Sequence, residues 1–307
     1  MLAIVGPTGT GKSRLAIHLA QACQGEIVNA DSRQVYCDMD IGTAKPTPEE
    51  LALVPHHLVD IVTPNEDFSL AQYQELARKA IMDIRQRHRL AMLVGGSGLY
   101  VWSLLEGWGI PPVPPDPGFR RILEARAAGD GKYELYHELE QIDPVAAQGI
   151  DPRNVRRTIR ALEVNHVGTV PFSLLRSKKA PAFKTLIIGL TSSREELYRR
   201  IDSRVDGMID RGLVEETRKL LSAGYNSDMP AMLSIGYRQI TLFLHGELPL
   251  EEAIKKIKTE TRRLIRHQYN WFRLTDKRIQ WFDIQDDMDS EIEKLVTKFM
   301  HGETAKK

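Results

Sequence analysis

Cysteine is almost absent: Cys23 and Cys37 are the only two in 307 residues. They form no CxxC pair, so neither a disulfide framework nor a zinc site built on cysteines can organise the chain. Their scarcity predicts a reducing, cytoplasmic setting. No apolar run approaches the roughly 18 residues that a membrane helix needs, which argues against a spanning protein. Excess charge is lacking too, since 42 Lys and Arg against 41 Asp and Glu leave a net charge of +1. No overall field draws the chain to nucleic acid, and any such binding has to come from local basic patches. A glycine-rich motif already begins at Gly6, so no signal or transit peptide is expected. Internal repeats are missing, as is low complexity beyond one proline run. With 42% hydrophobic and 27% charged residues, the composition is that of an ordinary globular chain of one large or two modest domains.

What is present starts with Gly6-Pro-Thr-Gly-Thr-Gly-Lys-Ser13, which fits the phosphate-loop pattern G-x-x-x-x-G-K-[ST]. It follows the apolar run Leu2 to Val5 and opens into an amphipathic stretch with Leu15, Ile17 and Leu19. Gly6, Gly9 and Gly11 let the backbone turn so that N–H groups, including those at Thr8 and Thr10, converge near a helix N-terminus. Lys12 is placed to reach phosphate oxygens, and the Ser13 hydroxyl to ligate a magnesium ion bridging them. The loop reads a diphosphate and not the group attached to it, so occupation by a nucleoside triphosphate stays open. An NTPase would carry a magnesium-binding acid at the end of a buried strand. Leu90 to Val94 ends in glycines instead, and Asp60 is only a loop or strand-end substitute, which weakens the case for ATP hydrolysis.

Strand and helix patterns alternate after the motif. Glu26 to Asn29 reads as a buried strand, Pro48 starts a short helix, and His56 to Val62 reads as a strand. Ser69 to His88 forms a long amphipathic helix, and Leu90 to Val94 a strand ending in Gly95-Gly96-Ser97-Gly98. Pro111, Pro112, Pro114 and Pro115 then make a stiff connector, followed by helical patterns from Gly118 to Val167. The strand signal returns at Thr185 to Leu190, and helices are predicted over 194–211, 213–223, 237–245 and 249–273. A strand at 279–282 and a helix from Asp287 close the chain. The fold class is therefore α/β: a P-loop doubly wound parallel sheet with an inserted all-helical domain. The α/β core takes 1–112 and 183–307, and the insertion 113–182.

Chemistry-bearing residues gather where strands end. Asp31 is placed either as a base or as an acid that orders the following loop through Ser32. Ser97 either offers its hydroxyl to an anion or caps a helix. Arg200 and Arg204 either reach a diphosphate or pair with Glu196. Arg153, Arg156, Arg157 and Arg160 are expected on one helical face, and Lys255, Lys258, Arg262 and Arg266 on another. Such arginine stripes suit phosphate backbones, although most charge runs are simply solvated faces. Trp271 and Phe272 are expected in the core, and His56 and His57 lack a third metal ligand.

These motifs resemble those of the bacterial tRNA dimethylallyltransferase (isopentenyltransferase) family. The resemblance rests on residues 6–13, Asn29 to Tyr36, Met39 to Pro46, Gly95 to Tyr100, Asp151 to Val164, Ser234 to Gln239 and Thr261 to Arg273, in family order over nearly the whole chain. It implies transfer of a dimethylallyl group from dimethylallyl diphosphate to N6 of the adenosine beside the anticodon, position 37, with magnesium as cofactor. Asp31 and Ser97 would be catalytic, and Gly6, Thr8, Gly9, Thr10, Gly11, Lys12, Ser13 and Arg204 would hold the diphosphate. Asp31, Ser32, Arg33, Gln34, Arg153, Arg156, Arg157, Arg160, Tyr237, Arg238, Gln239, Arg262 and Arg266 would face the tRNA anticodon stem-loop. The family often has Thr at this position, and Ser97 keeps the hydroxyl but lacks threonine's methyl. Eukaryotic relatives add a zinc finger whose cysteines this chain lacks. A monomer without protein partners is expected.

Overall fold

The computed structural model describes all residues except 112, 129–130, 169, 176–182, 286 and 303–307. Pro112 of the proline run and residue 182 at the expected domain boundary lie outside the described residues. The chain divides into two compact units, Met1–Leu105 with Phe183–Lys307, and Glu106–Ala182.

In the first unit β1 (Leu2–Val5) leads to α1 (Lys12–Ala22), then β2 (Gly25–Asn29), α2 (Pro48–Leu53), β3 (His56–His57), α3 (Leu70–Gln86), β4 (Leu90–Val94) and α4 (Gly98–Leu105). The second unit contains α5 (Pro117–Arg126), α6 (Gly131–Ile142), α7 (Pro144–Gln148), α8 (Val155–Val167) and α9 (Phe172–Leu175). The first then resumes with β5 (Leu186–Thr191), α10 (Arg194–Asp210), α11 (Leu213–Ser222), α12 (Tyr237–Leu244), α13 (Leu250–Trp271), β6 (Ile279–Asp283) and α14 (Asp289–Met300). Among the described residues no helix is long and apolar enough to cross a membrane.

All strand pairs are parallel, in the order β3-β2-β4-β1-β5-β6. The central strands are apolar throughout because helices cover both faces; Leu2 to Val5 are fully buried. Val28 pairs with Leu93, and Ile4 with Val94, so β1, β2 and β4 end at one level. Their following loops share a rim. The strand expected over His56 to Val62 stops after His57, because Leu58 (φ 64°) and Asp60 (φ 55°) turn left-handed. Only a bridge from Tyr36 to Val62 continues the pairing. Helix starts follow their caps: in α3 the Ser69 hydroxyl accepts from Gln72 N–H (3.2 Å) while Gln72 Oε1 accepts from Ser69 N–H (2.9 Å).

The helical unit has its own core of Leu123, Leu135, Leu139, Ile159 and Leu162, and it buries the carboxylates of Asp143 and Glu163. Glu163 is wholly buried. It accepts from Asp116 N–H (2.6 Å), from the Arg120 guanidinium (2.7 and 2.9 Å) and from Arg160. Burial disfavours its charge, but Arg120 and Arg160 outweigh that and hold the carboxyl below the usual glutamate range. Glu163→Gln is expected to cost about 3–5 kcal/mol, because two guanidinium groups lose their counter-charge. With its folded value lowered, the carboxylate contributes stability above the unfolded range near ~4.3 and loses it as pH falls through the folded value. Thermal unfolding against pH checks both, with a flatter acid response in the variant.

Candidate active site

The first wall of the site is the loop between β1 and α1. Gly6 has φ +136°, and a Cβ there would lie 2.3 Å from the Leu190 carbonyl oxygen, so the turn out of β1 accepts only glycine. Thr10 Oγ1 and Lys12 Nζ both donate to the Pro7 carbonyl at 2.9 Å, which folds the lysine back over the loop. No side chain caps the N-terminus of α1. Its first N–H groups are thus left for an anion.

The second wall leaves β2. Asn29 holds the backbone of Asp31 from both sides, accepting its N–H (2.9 Å) and donating to its carbonyl (3.0 Å). A further bond from Asn29 Nδ2 to Leu58 O (2.9 Å) anchors the asparagine. Asp31 Oδ1 accepts from Arg33 N–H at 2.9 Å, so this carboxylate also orders its own loop. Gln34 Nε2 donates to Ala44 O (2.9 Å) and Thr43 O (3.3 Å). The third wall, Gly95 to Gly98, follows β4. Ser97 Oγ accepts from Ser32 N–H (2.9 Å) and sits 3.2 Å from Ser32 Oγ, so its hydroxyl ties the third loop to the second.

Gln268, near the end of α13, joins the first loop to the third. Its Oε1 accepts from Thr8 N–H (2.8 Å) and its Nε2 donates to Gly96 O (3.1 Å), with the side chain buried. The three loops, α10 and α13 enclose a cavity of about 670 Å³ lined by Lys12, Ser13, Asp31, Gln34, Ser97 and Arg204. Apolar side chains of Ile201, Val205, Met208 and Ile257 complete its wall. One cavity therefore offers an anion cradle, a carboxylate and an apolar surface.

Its electrostatics favour an anion. Burial lowers Lys12 to about 8, Asp31 acts in the opposite sense, and Arg204 lowers it further. Arg204 is likewise held below its ordinary value by burial, with Asp31 opposing; its guanidinium donates to Thr8 Oγ1 at 3.2 Å. Two cations crowded into a partly closed recess gain most from a multivalent anion.

Of the expected residues, the 6–13 loop, Asp31, Ser32, Arg33, Gln34, Ser97 and Arg204 come together in this way, while Arg200 takes the alternative role, pairing with Glu196 at 2.6 Å. Arg33 is exposed and donates to Pro230 O (3.1 Å). Several of the residues expected to face tRNA are differently placed. Tyr237 and Gln239 are buried: Tyr237 Oη donates to Glu216 (2.6 Å), and Gln239 Oε1 accepts from Gly236 N–H (2.9 Å) at the start of α12. Arg153 lies outside α8 and pairs with Asp151 (2.7 Å), so the four-arginine face does not form. Arg160 turns inward to Glu163 and Val113 O (2.7 Å), leaving Arg156 exposed and Arg157 half-buried on the helix. Three members of the stripe on α13 meet α10: Lys258 pairs with Asp206 (2.6 Å), Arg262 with Asp202, and Arg266 donates to Tyr198 Oη (3.3 Å), while Lys255 is exposed beside α12. Arg238 lies 3.5 Å from Glu260. Phe272 is buried as expected, but Trp271 is 42% exposed and lines the cavity. Asn29 and Gln268 escaped the sequence reading, because a lone amide carries no signal until the loops it spans are known.

His57 is engaged by Glu26 (2.8 Å) and His56 by Val54 O (2.9 Å). Among the described residues no group of three or more His, Cys, Asp or Glu could hold a metal ion.

Affinity for inorganic diphosphate is expected to fall as pH rises through about 8, where Lys12 loses its proton. Lys12→Met should remove that step and weaken binding roughly ten- to hundredfold, the worth of a charge-assisted hydrogen bond of about 1.5–3 kcal/mol. Calorimetric titration of both proteins across this range checks the pair.

A family model described as IPP transferase matches residues 34–275. A tRNA dimethylallyltransferase of Dehalococcoides mccartyi is 48% identical over 300 residues, 98% of this chain and 92% of its own. One from Thermomicrobium roseum is 51% identical over 284 residues, 92% of this chain and 86% of its own. Among solved structures, a tRNA isopentenylpyrophosphate transferase from Bacillus halodurans matches with TM-score 0.73 and 40% identity over 98% of this chain and 97% of its own. A eukaryotic dimethylallyltransferase acting on tRNA matches with TM-score 0.85 and 27% identity over 100% and 81%. The glycine-rich cradle, the carboxylate loop and the closing α13 segment are therefore read in the company of transferases, and the chain belongs to the IPP transferase family.

Proposed function

We propose that this protein transfers the dimethylallyl group of dimethylallyl diphosphate to N6 of the adenosine at position 37 of tRNA, releasing diphosphate. The observation that carries the reading is the single cavity in which the phosphate loop, Asp31 and an apolar wall meet. Breaking the allylic C–O bond leaves negative charge on diphosphate. Lys12, Arg204 and the uncapped N-terminus of α1 border the same cavity, where cationic groups and N–H donors would stabilise that charge as it develops. The five-carbon group finds apolar contacts at Ile201, Val205 and Met208.

The amino group of adenine is a weak nucleophile whose proton becomes acidic as the C–N bond forms. Asp31 accepts that proton late, which contributes about 10²–10⁴-fold in rate. Its backbone is fixed on both sides by Asn29, so the carboxylate keeps its place through the reaction. A base stacked in the anticodon loop has to be extruded to enter the cavity. Exposed Trp271, lining it, offers a face for stacking. Arg156 and Arg157 on α8 and Arg33 beside the carboxylate loop supply cationic contacts to the RNA backbone.

Among the described residues no acidic cluster is present to cage a magnesium ion; the ion would be held by the Ser13 hydroxyl and by diphosphate oxygens, as suits a cation that keeps much of its water. When bound it would neutralise part of the charge on the leaving group.

Incubation with labelled dimethylallyl diphosphate and unmodified tRNA is expected to put label into the RNA at N6 of that adenosine; an unlabelled RNA rejects the reaction. Asp31→Ala should lower turnover by about 10²–10⁴-fold with tRNA affinity nearly unchanged, and an equal loss of binding would make Asp31 a loop-ordering residue. Arg156→Ala with Arg157→Ala should weaken tRNA binding and make log affinity less steep against log salt by about one unit per lost phosphate contact. Filter binding at several salt concentrations measures that slope.

A further inference from the structure

Glu216 on α11 does not line the cavity, yet its carboxylate collects an unusual set of donors. Oε2 accepts from the N–H groups of Asp40 (3.1 Å) and Ile41 (2.8 Å), and Oε1 from Ile41 and Gly42 (both 3.1 Å). Tyr237 Oη donates to Oε1 as well, at 2.6 Å, and itself accepts from Gly42 N–H at 3.2 Å. Three consecutive peptide N–H groups thus converge on one carboxylate, an arrangement that loops otherwise use to bind free anions. The fit at Gly42 is tight: a Cβ there would lie 2.5 Å from the ring of Tyr237, which is fully buried. Gly42 packs closely against that ring.

The clamped loop leads straight to the cavity. Gly42, Thr43, Ala44 and Pro46 line it. The carbonyls of Thr43 and Ala44 take both hydrogen bonds from Gln34 Nε2, which forces the amide of Gln34 to keep its oxygen as the group left for a ligand. The far end of the loop is pinned separately, Lys45 Nζ lying between Asp40 (2.6 Å) and Asp60.

We propose that Glu216, seated by Tyr237, is a positioning residue for the nucleobase side of the site, acting through the 40–44 loop on Gln34. This rests on the transfer reaction proposed above. The phosphate loop lies outside the chain of contacts, so the two substrates respond differently when the clamp is broken. In Glu216→Gln an amide group faces the converging N–H donors, and the loop loses its shared acceptor. Tyr237→Phe removes one donor and keeps the packing.

Steady-state kinetics with each substrate varied in turn provide the test. Glu216→Gln is expected to lower kcat/KM for tRNA about ten- to hundredfold while KM for dimethylallyl diphosphate moves less than about twofold, and Gln34→Ala added to it should cost less than about twofold more. Tyr237→Phe should shift the same parameter in the same direction by a smaller factor, and it decides the question if Glu216→Gln does not fold. Multiplicative losses for Glu216→Gln and Gln34→Ala, or parallel rises in both KM values, would reduce Glu216 to a general stabiliser and overturn the proposal. Wild-type protein unable to transfer the group overturns the reaction and the clamp together; an active wild type with an additive cycle overturns the clamp alone.

Discussion

The parallel alignment of β1, β2 and β4 is the constraint on which the rest of the site depends. Because neighbouring strands run the same way and end at the same level, their outgoing loops cannot avoid one another. The loops after β1 and β4 are short and rich in glycine, and the one after β2 is long. Together they are cross-tied, Ser97 to Ser32 and Gln268 to Thr8 and Gly96, while Asn29 anchors the second loop to Leu58. These ties are neutral hydrogen bonds from side chains to backbone. They fix loop geometry without adding charge to a place where charge is needed for binding.

Charge inside the cavity is left unbalanced on the cationic side. Lys12, Arg33 and Arg204 line it against the carboxylates of Asp31 and Glu50, and both Lys12 and Arg204 are pushed below their ordinary values by burial. A folded chain tolerates such a deficit where an anionic ligand completes it. Elsewhere the protein does the reverse. Glu26 receives Arg87 and His57, Glu163 receives Arg120 and Arg160, and Asp202 and Asp206 receive Arg262 and Lys258. Most of the arginine and lysine stripes are consumed in this way, which is why stripe counting overstates the surface available to RNA.

Motifs whose meaning is carried by backbone conformation were legible before the structure. The strand, glycine loop and helix of residues 2–22, the α/β alternation, the helical insertion and the meeting of Asp31 with Lys12 all follow from local patterns of apolar residues, glycine and proline. The strand expected over His56 to Val62 is cut short because Leu58 and Asp60 turn left-handed, and a positive φ at Leu58 leaves no mark in the hydropathy. Trp271 and Phe272 illustrate the same limit: adjacent aromatics at the end of one helix, one in the core and one at the cavity.

The sequence by itself determined the glycine-rich cradle, since Gly6, Gly9, Gly11, Lys12 and Ser13 lie within a few positions of one another and their geometry is set by the local backbone. Only the tertiary structure decided which remote side chains hold that cradle and the loops beside it. Gln268 meets Thr8, Glu216 meets the loop at 40–42, and Arg160 or Tyr237 turns inward, through contacts between segments far apart in the chain. The physical reason is that hydrogen-bond partners of buried polar groups are chosen by packing, and packing has no local signature.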